Sequence, residues 1–249
     1  MAEETRTRVE EALFEAAVTI KVRKKDLVKW PDDDEHLPQY RISVRVARSL
    51  VKFLKPYWDR TRCQQLKDQL KTLQDPTSRM RELDVIVPLL ADNPALQERC
   101  RQAQLETRAA FIAQLKAPET QELLGQVEDG LKHIAWKKGV QRDGIDQAEL
   151  ANRMEARRIA CEETLAVVDF DNQEAVHDLR KQAKALRYVS RELEGCLPAG
   201  AAETSGQMRK VQDMLGKWCD ARVNAALVTE ICGPEAADVA ARFQAEADA

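Results

Sequence analysis

Between Glu174 and Leu193 the chain reads EAVHDLRKQAKALRYVSREL, which packs one histidine and five cations into fifteen residues of a protein whose net charge is −3. Placed on a helix at about 100° per residue, His177, Lys181, Lys184, Tyr188 and Arg191 fall within roughly 40° of one line. Arg180 and Arg187 lie just beside it. Leu179, Ala183, Leu186, Val189 and Leu193 take the opposite side. A second stretch behaves the same way. Arg41, Arg45, Arg48, Lys52 and Lys55 form one stripe, with Val46, Leu50, Phe53 and Leu54 opposed. Arginine presents a planar fork that matches pairs of phosphate oxygens, and lysine adds a mobile point charge. A stripe of this length measures about 20 Å at 5.4 Å per turn, which suits an extended polyanion better than one small phosphate ester.

A solvated helix face normally mixes signs, because like charges four residues apart repel by a few tenths of a kcal/mol. No acid occurs from Arg41 to Lys55, and from His177 to Arg191 the only one is Asp178. Acids on other helices would neutralise the stripes if the fold brought them there. Otherwise the stripes make an anion-binding surface, which is the reading adopted. His177 would then hydrogen-bond a phosphate oxygen and gain charge beside it; the plainer alternative is a helix-start histidine bonded to a neighbouring backbone group or carboxylate.

Other candidate chemistry is thinner. Asp84 and Asp220 read as carboxylates that orient an Arg or Lys of their own half, rather than as a catalytic pair. Asp32, Asp33, Asp34 and Glu35 read as a solvated loop and not a metal site. The pairs Lys137 and Lys138, Arg157 and Arg158, and Arg209 and Lys210 would either widen the basic surface or stand solvated. The six cysteines form no C-x-x-C pair and keep no metal-ligand spacing from His36, His133 or His177, so they read as small core hydrophobes. No Walker loop, G-x-S-x-G or H-E-x-x-H is present. The expectation is a protein without catalytic residues, bound metal or cofactor.

The elements that must carry the stripes are helices. Apolar residues recur at three- and four-residue spacing almost throughout, and period-two runs are absent. The spacing predicts helices at 3–29, 38–55, 61–73, 77–91, 95–116, 119–138, 145–168, 172–194, 204–232 and 235–246. Breaks fall at WPDDD (30–34), KP (55–56), DP (75–76), NP (93–94), AP (117–118), RDG (142–144) and LPAG (197–200). At 44% hydrophobic and 33% charged, with 5% aromatic residues, the 249-residue chain reads as a folded, charge-rich protein with an aliphatic core. No apolar run reaches bilayer-spanning length, and MAEETRTRVE has no signal-peptide core, so no membrane partner and a cytoplasmic location are expected.

The stripes belong to a long-period repeat. QYRISVRVARSLVKFL (39–54) aligns with DLRKQAKALRYVSREL (178–193), placing Arg41, Arg45 and Arg48 on Arg180, Lys184 and Arg187. MRELDVIVPLL (80–90) also compares with KWCDARVNAAL (217–227), where an offset of 136 residues places Asp84 on Asp220. The offsets, 139 and 136 residues, nearly agree, which argues for an internal duplication. One domain over 1–249 is expected, with halves of about 1–140 and 145–249 meeting near Gly139 and Gly144.

VHDLRKQAKALRY resembles the signature of the CHAD family, the conserved-histidine α-helical domain. QYRISVRVARSL resembles its other copy, and RELDV and LGKWCDARV resemble the family's acidic helix motifs. The resemblance covers nearly the whole chain. It implies an all-α fold of two pseudo-twofold-related, four-helix-bundle-like halves lined with basic residues. It also implies non-catalytic binding of inorganic polyphosphate through a basic groove or pore, at polyphosphate granules and alongside polyphosphate-metabolising proteins. The first half departs from the pattern: Pro38 stands where a histidine is expected, and His36 is out of register. Only His177 carries over.

Rival readings remain. A cationic helix also fits nucleic-acid phosphates, but base stacking needs interleaved aromatics, and Tyr188 is the only one on the strip. A phosphohydrolase using His177 and a helical scaffold for an acidic protein rank lower.

Overall fold

In a computed structural model, which describes residues 1–197 and 201–248, the chain is all helical apart from its connections. Eleven α-helices are described: α1 Ala2–Lys29, α2 His36–Leu54, α3 Arg60–Gln74, α4 Thr77–Leu89, α5 Pro94–Lys116, α6 Pro118–Lys132, α7 Lys138–Asp143, α8 Gln147–Val167, α9 Gln173–Glu192, α10 Ala201–Cys232 and α11 Ala237–Asp248. Three short 3₁₀ turns follow α2, α9 and α10. Several starts carry the expected chemistry. Asp59, Asn93, Asp146 and Asn172 each accept a backbone N–H of the first helical turn, and prolines open α5 and α6, where a missing N–H costs nothing. Most of the LPAG break (197–200) lies outside the described residues.

Among the boundaries that differ from the spacing, three have a clear physical cause or consequence. Lys55 lies past the end of α2, in a 3₁₀ turn, because Pro56 follows it. His36 belongs to the first turn of α2, with Pro38 beside it. The helix expected over 119–138 stops at Lys132. There the chain extends and pairs with the end of the 3₁₀ turn: Asp59 N–H donates to Ala135 O at 2.7 Å and Lys137 N–H to Tyr57 O at 3.0 Å. Trp58 and Trp136 then meet edge to face at 5.7 Å. The seam near Gly144 docks onto the start of α1, where Ile145 N–H donates to Ala2 O at 2.9 Å.

Two hydrophobic clusters hold the helices. The larger joins α1, α2, α3 and α6 to α8, α9 and part of α10. The smaller joins Leu83, Ile86 and Leu90 to Leu96, Leu227, Val228 and Phe243. Both clusters therefore draw on both halves of the sequence. Each fully buried Leu or Phe contributes about 1.5–3 kcal/mol, and α2 alone buries Leu37, Tyr40, Val44, Leu50, Phe53 and Leu54. That burial rotates the α2 cations outward. All six cysteines are buried and unbonded. Among the described residues no helix is long and apolar enough to cross a membrane.

Candidate anion-binding face

Helices α2 and α9 pack directly against each other. The charge of Arg45 on α2 is felt at Lys184 on α9, and that of Asp178 on α9 at Lys52 on α2. Going up α2 from 45 to 52 therefore means going down α9 from 184 to 178, so the helices run antiparallel. Their cationic stripes meet along the seam between them.

The cations fall into two groups. Arg180, Lys181, Arg187 and Arg191 are tethered. Arg180 donates to Asp220 at 2.9 Å, Lys181 to Asp178 at 2.9 Å, Arg187 to Gln212 at 3.0 Å and Arg191 to Glu192. Arg41 is tethered differently, donating to the carbonyl and the hydroxyl of Thr77. Arg45, Arg48, Lys52 and Lys184 form the second group. Among the described residues no carboxylate lies within ion-pair distance of any of them. His177 is exposed in the second turn of α9, and among the described residues its side chain makes no hydrogen bond. Lys55 is exposed beyond the end of α2.

The crowding of like charges registers in their protonation. Burial, then Arg180 and Arg45, push Lys184 down to about 7, against a smaller pull from Asp220. Burial, then Arg45 and Arg81, bring Arg41 down to about 10, which leaves it charged at neutral pH. Burial lowers Arg48, with Arg45 adding to it and Asp75 opposing. Burial, then Arg157 and Lys67, lower Lys52. Burial, then Lys181 and Arg180, lower His177. Each shift means that the charged form lacks solvent or counter-charge, and an anion would supply the latter.

Tyr188 does not lie on the exposed strip. Its ring is 4% exposed, covered by the guanidinium groups of Arg187 at 5.0 Å and Arg191 at 5.9 Å. Helix α9 is packed by both α2 and α10, so its buried arc is wider than a one-sided helix would have. The two acids hold different partners. Asp220 fixes Arg180, whereas Asp84 takes Arg108 at 3.1 Å and Gln104 at 2.7 Å. Arg108 also donates to Pro31 O and to Asp34, at 3.2 Å each. Asp34 of the acidic loop is thus held to α5.

Two further arginines join the face. Arg157 lies over the Phe53 ring at 5.6 Å, and burial, then Arg153, lower it. Arg153 lies over the same ring at 5.5 Å and donates to Phe53 O at 2.9 Å. Their four-residue spacing on α8 was visible, but nothing in the sequence said that α8 turns that face toward Phe53 and Lys52. Arg158 is instead held between Glu155 and Glu162, at 2.6 Å from each. Lys137, Lys138, Arg209 and Lys210 are all exposed, and Arg209 pairs with Asp213 at 3.7 Å. No three His, Cys, Asp or Glu side chains gather into a metal-binding group among the described residues. An open cavity of about 570 Å³ lies elsewhere, lined by Glu4, Arg8, Glu11, Glu15 and Glu192; its carboxylates would repel a polyanion.

These features define an all-α protein with a cationic face assembled from two antiparallel helices. The CHAD domain model matches residues 11–229, and the chain belongs to the CHAD family. The fold is similar to that in the crystal structure of the CHAD domain from the plant Ricinus communis, with a TM-score of 0.79 and 19% identity, covering 96% of this chain and 84% of that one. It is also similar to PptA from Streptomyces chartreusis, with a TM-score of 0.75 and 13% identity, covering 97% and 94%. No curated protein matches the sequence.

Proposed function

We propose that the face formed by α2 and α9 binds inorganic polyphosphate without cleaving it, and that the protein acts as a cytoplasmic binding module at polyphosphate granules, alongside polyphosphate-metabolising proteins. The observation that carries this reading is the row of cations lacking carboxylate partners, Arg45, Arg48, Lys52 and Lys184, along the seam of two packed helices. Burial and neighbouring cations lower the pKa values of Arg48, Lys52 and Lys184 in it. Both indicate a surface whose counter-charge comes from outside the fold. Its length spans several phosphoryl units, and its members combine forked and point-charge donors. The tethered cations, Arg41, Arg180, Lys181 and Arg187, flank the row and add charge at fixed positions. His177 sits at the α9 N-terminal end, where a phosphate oxygen would reach it.

The test titrates labelled long-chain polyphosphate into the protein and then assays free phosphate after incubation with divalent metals. Saturable binding without phosphate release is the expected result. Phosphate release that His177→Ala abolishes would move the protein to the phosphohydrolases. Failure to bind would overturn the reading.

A further inference from the structure

We propose that the outer face of α1 is an interface with a second copy of this chain: two α1 helices pair antiparallel about a twofold axis at Val18, giving a homodimer of modest affinity. The pairing does not depend on what the α2–α9 face binds.

Helix α1 is apolar on two sides. Its inner side places Val9, Leu13, Ala16, Ile20 and Leu27 in the core. At about 100° per residue, Phe14, Val18 and Val22 lie on the opposite side, within about 40° of one line. They remain 48%, 39% and 48% exposed. Lys132 of α6 reaches over the Phe14 ring at 5.4 Å and still leaves that side chain half exposed. Among the described residues no other helix exposes three large apolar side chains at four-residue spacing. Single exposed valines are ordinary, whereas a contiguous apolar stripe rimmed by charge marks an interaction surface.

Charge decides the occupant. The same line continues through Glu11 toward the helix N-terminus and through Lys25 toward its C-terminus. Both are exposed, and among the described residues neither enters an ion pair within its own chain. Each lies seven residues from Val18. A twofold axis at Val18 therefore sets Glu11 opposite Lys25 of the partner subunit, twice, and seats Phe14 beside the partner's Val22. Parallel pairing would instead oppose like charges and align the helix dipoles. A partner of one charge sign would be repelled at one end of the stripe, while a second copy matches both ends. From Glu11 to Lys25 the contact is about 21 Å long and one helix, about 10 Å, wide. That is well below the roughly 800 Å² per partner that stable complexes bury, so a dissociation constant on the order of 10–100 μM is expected.

The test is sedimentation of the intact chain from about 1 to 500 μM, a range that brackets this constant. The mass should rise from 28.2 kDa toward twice that value. Glu11→Lys and Lys25→Glu should each weaken the dimer at least about 10-fold, because each places like charges together twice. Mixed in equal amounts, these two variants should pair with one another about as well as wild type pairs with itself, since every contact across the axis again joins opposite charges. Val18→Glu should abolish pairing with helicity unchanged, because Val18 lies outside the core. Val18→Cys should form an interchain disulfide under mild oxidation, as the axis brings the two positions together and the native cysteines are all buried. Lys29→Cys, far from the axis, should not. A chain that stays monomeric at the highest concentration would assign the stripe to a different protein and overturn the proposal. So would a dimer that Val18→Glu leaves intact, or charge variants that do not rescue one another.

Discussion

Arg45 of α2 acts as a like charge on Lys184 of α9 across the helix seam and, after burial and Arg180, lowers its pKa. A fold gains nothing from such a contact. The aliphatic packing beneath, from Val44 and Leu50 on one helix to Leu179 and Leu186 on the other, holds the cations together against their repulsion. The unfavourable term is relieved when an anion arrives, so a surface that is strained when free is preorganised when bound.

Reversing charge on either helix should therefore weaken binding to the shared face. The triple variant Arg45→Glu, Arg48→Glu, Lys52→Glu should bind long-chain polyphosphate at least about 100-fold more weakly, since a single charge-assisted contact is worth about 1.5–3 kcal/mol. Lys184→Glu with Arg187→Glu should do the same from the α9 side. Circular dichroism should show unchanged helicity, because none of these side chains is in the core. Unchanged binding by the α2 triple variant would show that the two helices do not share a ligand.

Affinity should rise as pH falls. Lys184 and His177 both sit below their ordinary values, so each is partly neutral in the free protein near neutral pH. A polyanion favours the protonated form, so binding takes up protons, and each group adds up to about one log unit of affinity per pH unit between its free and bound pKa values. The Lys184 contribution should appear between about pH 8.5 and 7, and Lys184→Met should remove it. The His177 contribution should appear below that range, and His177→Ala should remove it. Asp178, held below the usual carboxylate range by its hydrogen bond from Lys181, stays ionised throughout and adds no slope. Calorimetry in two buffers of different ionisation enthalpy measures the uptake directly. A profile flat from pH 8.5 to 6 would exclude both groups from the site.

The helical class and both stripes were legible because burial on α2 and α9 leaves a period of three to four residues in the sequence. The Tyr188 side chain was not, since a second packing partner, α10, widens the buried arc without changing the local pattern. The end of α6 at Lys132 was hidden for a related reason. The stretch from His133 to Trp136 holds no Gly or Pro; it leaves the helix to pair with residues 57–59, some 75 positions earlier. Arg108 gave no signal either, because its partners Pro31, Asp34 and Asp84 come from α4 and the α1–α2 loop.

Arg108→Ala should be among the costly substitutions. Arg108 is 8% exposed, and its loss leaves Asp84 in a largely buried setting without its cation. Breaking a buried pair from one side costs about 3–5 kcal/mol, and in a chain of this size each kcal/mol lowers Tm by about 2–4 °C. The double variant Arg108→Met, Asp84→Asn should recover part of the loss, because the stranded charge is gone. Thermal unfolding checks both. An unchanged Tm for Arg108→Ala would mean that the network is solvated.

Gly144 and Gly139 should respond in opposite directions to alanine. Gly144 has φ 79° and ψ −159°, a region essentially confined to glycine, and a Cβ there would come within 2.4 Å of the Ala2 carbonyl carbon. Gly144→Ala should cost at least about 1–3 kcal/mol from backbone strain alone. It should also displace the N-terminus of α1. Gly139 lies inside α7 with open space around it, so Gly139→Ala should stabilise by about 0.5–1 kcal/mol. Denaturant midpoints distinguish the two, and equal shifts would contradict the close approach of Gly144 to α1.

Polyphosphate should outcompete single-stranded DNA of equal total charge. Both polymers release counterions on binding, so both should weaken steeply with salt, and salt dependence cannot separate them. What separates them is stacking. Single-strand binding draws about 1–3 kcal/mol per base from exposed aromatic rings interleaved with cations. On this face Tyr188 is buried beneath Arg187 and Arg191, and Phe53 lies in the core under Arg153 and Arg157. Neither ring offers the DNA bases a stacking surface, and the bulk of the bases would hold the phosphates away from half-buried Arg45, Arg48 and Lys184. A bare phosphoryl chain has no such obstruction, and every unit can approach the seam. The measurement is displacement of labelled polyphosphate by charge-matched single-stranded and duplex DNA near physiological ionic strength. Both DNAs should compete at least about 10-fold less well, since even one lost charge-assisted contact accounts for that factor. Equal displacement by either would make nucleic acid the better account of the cationic face.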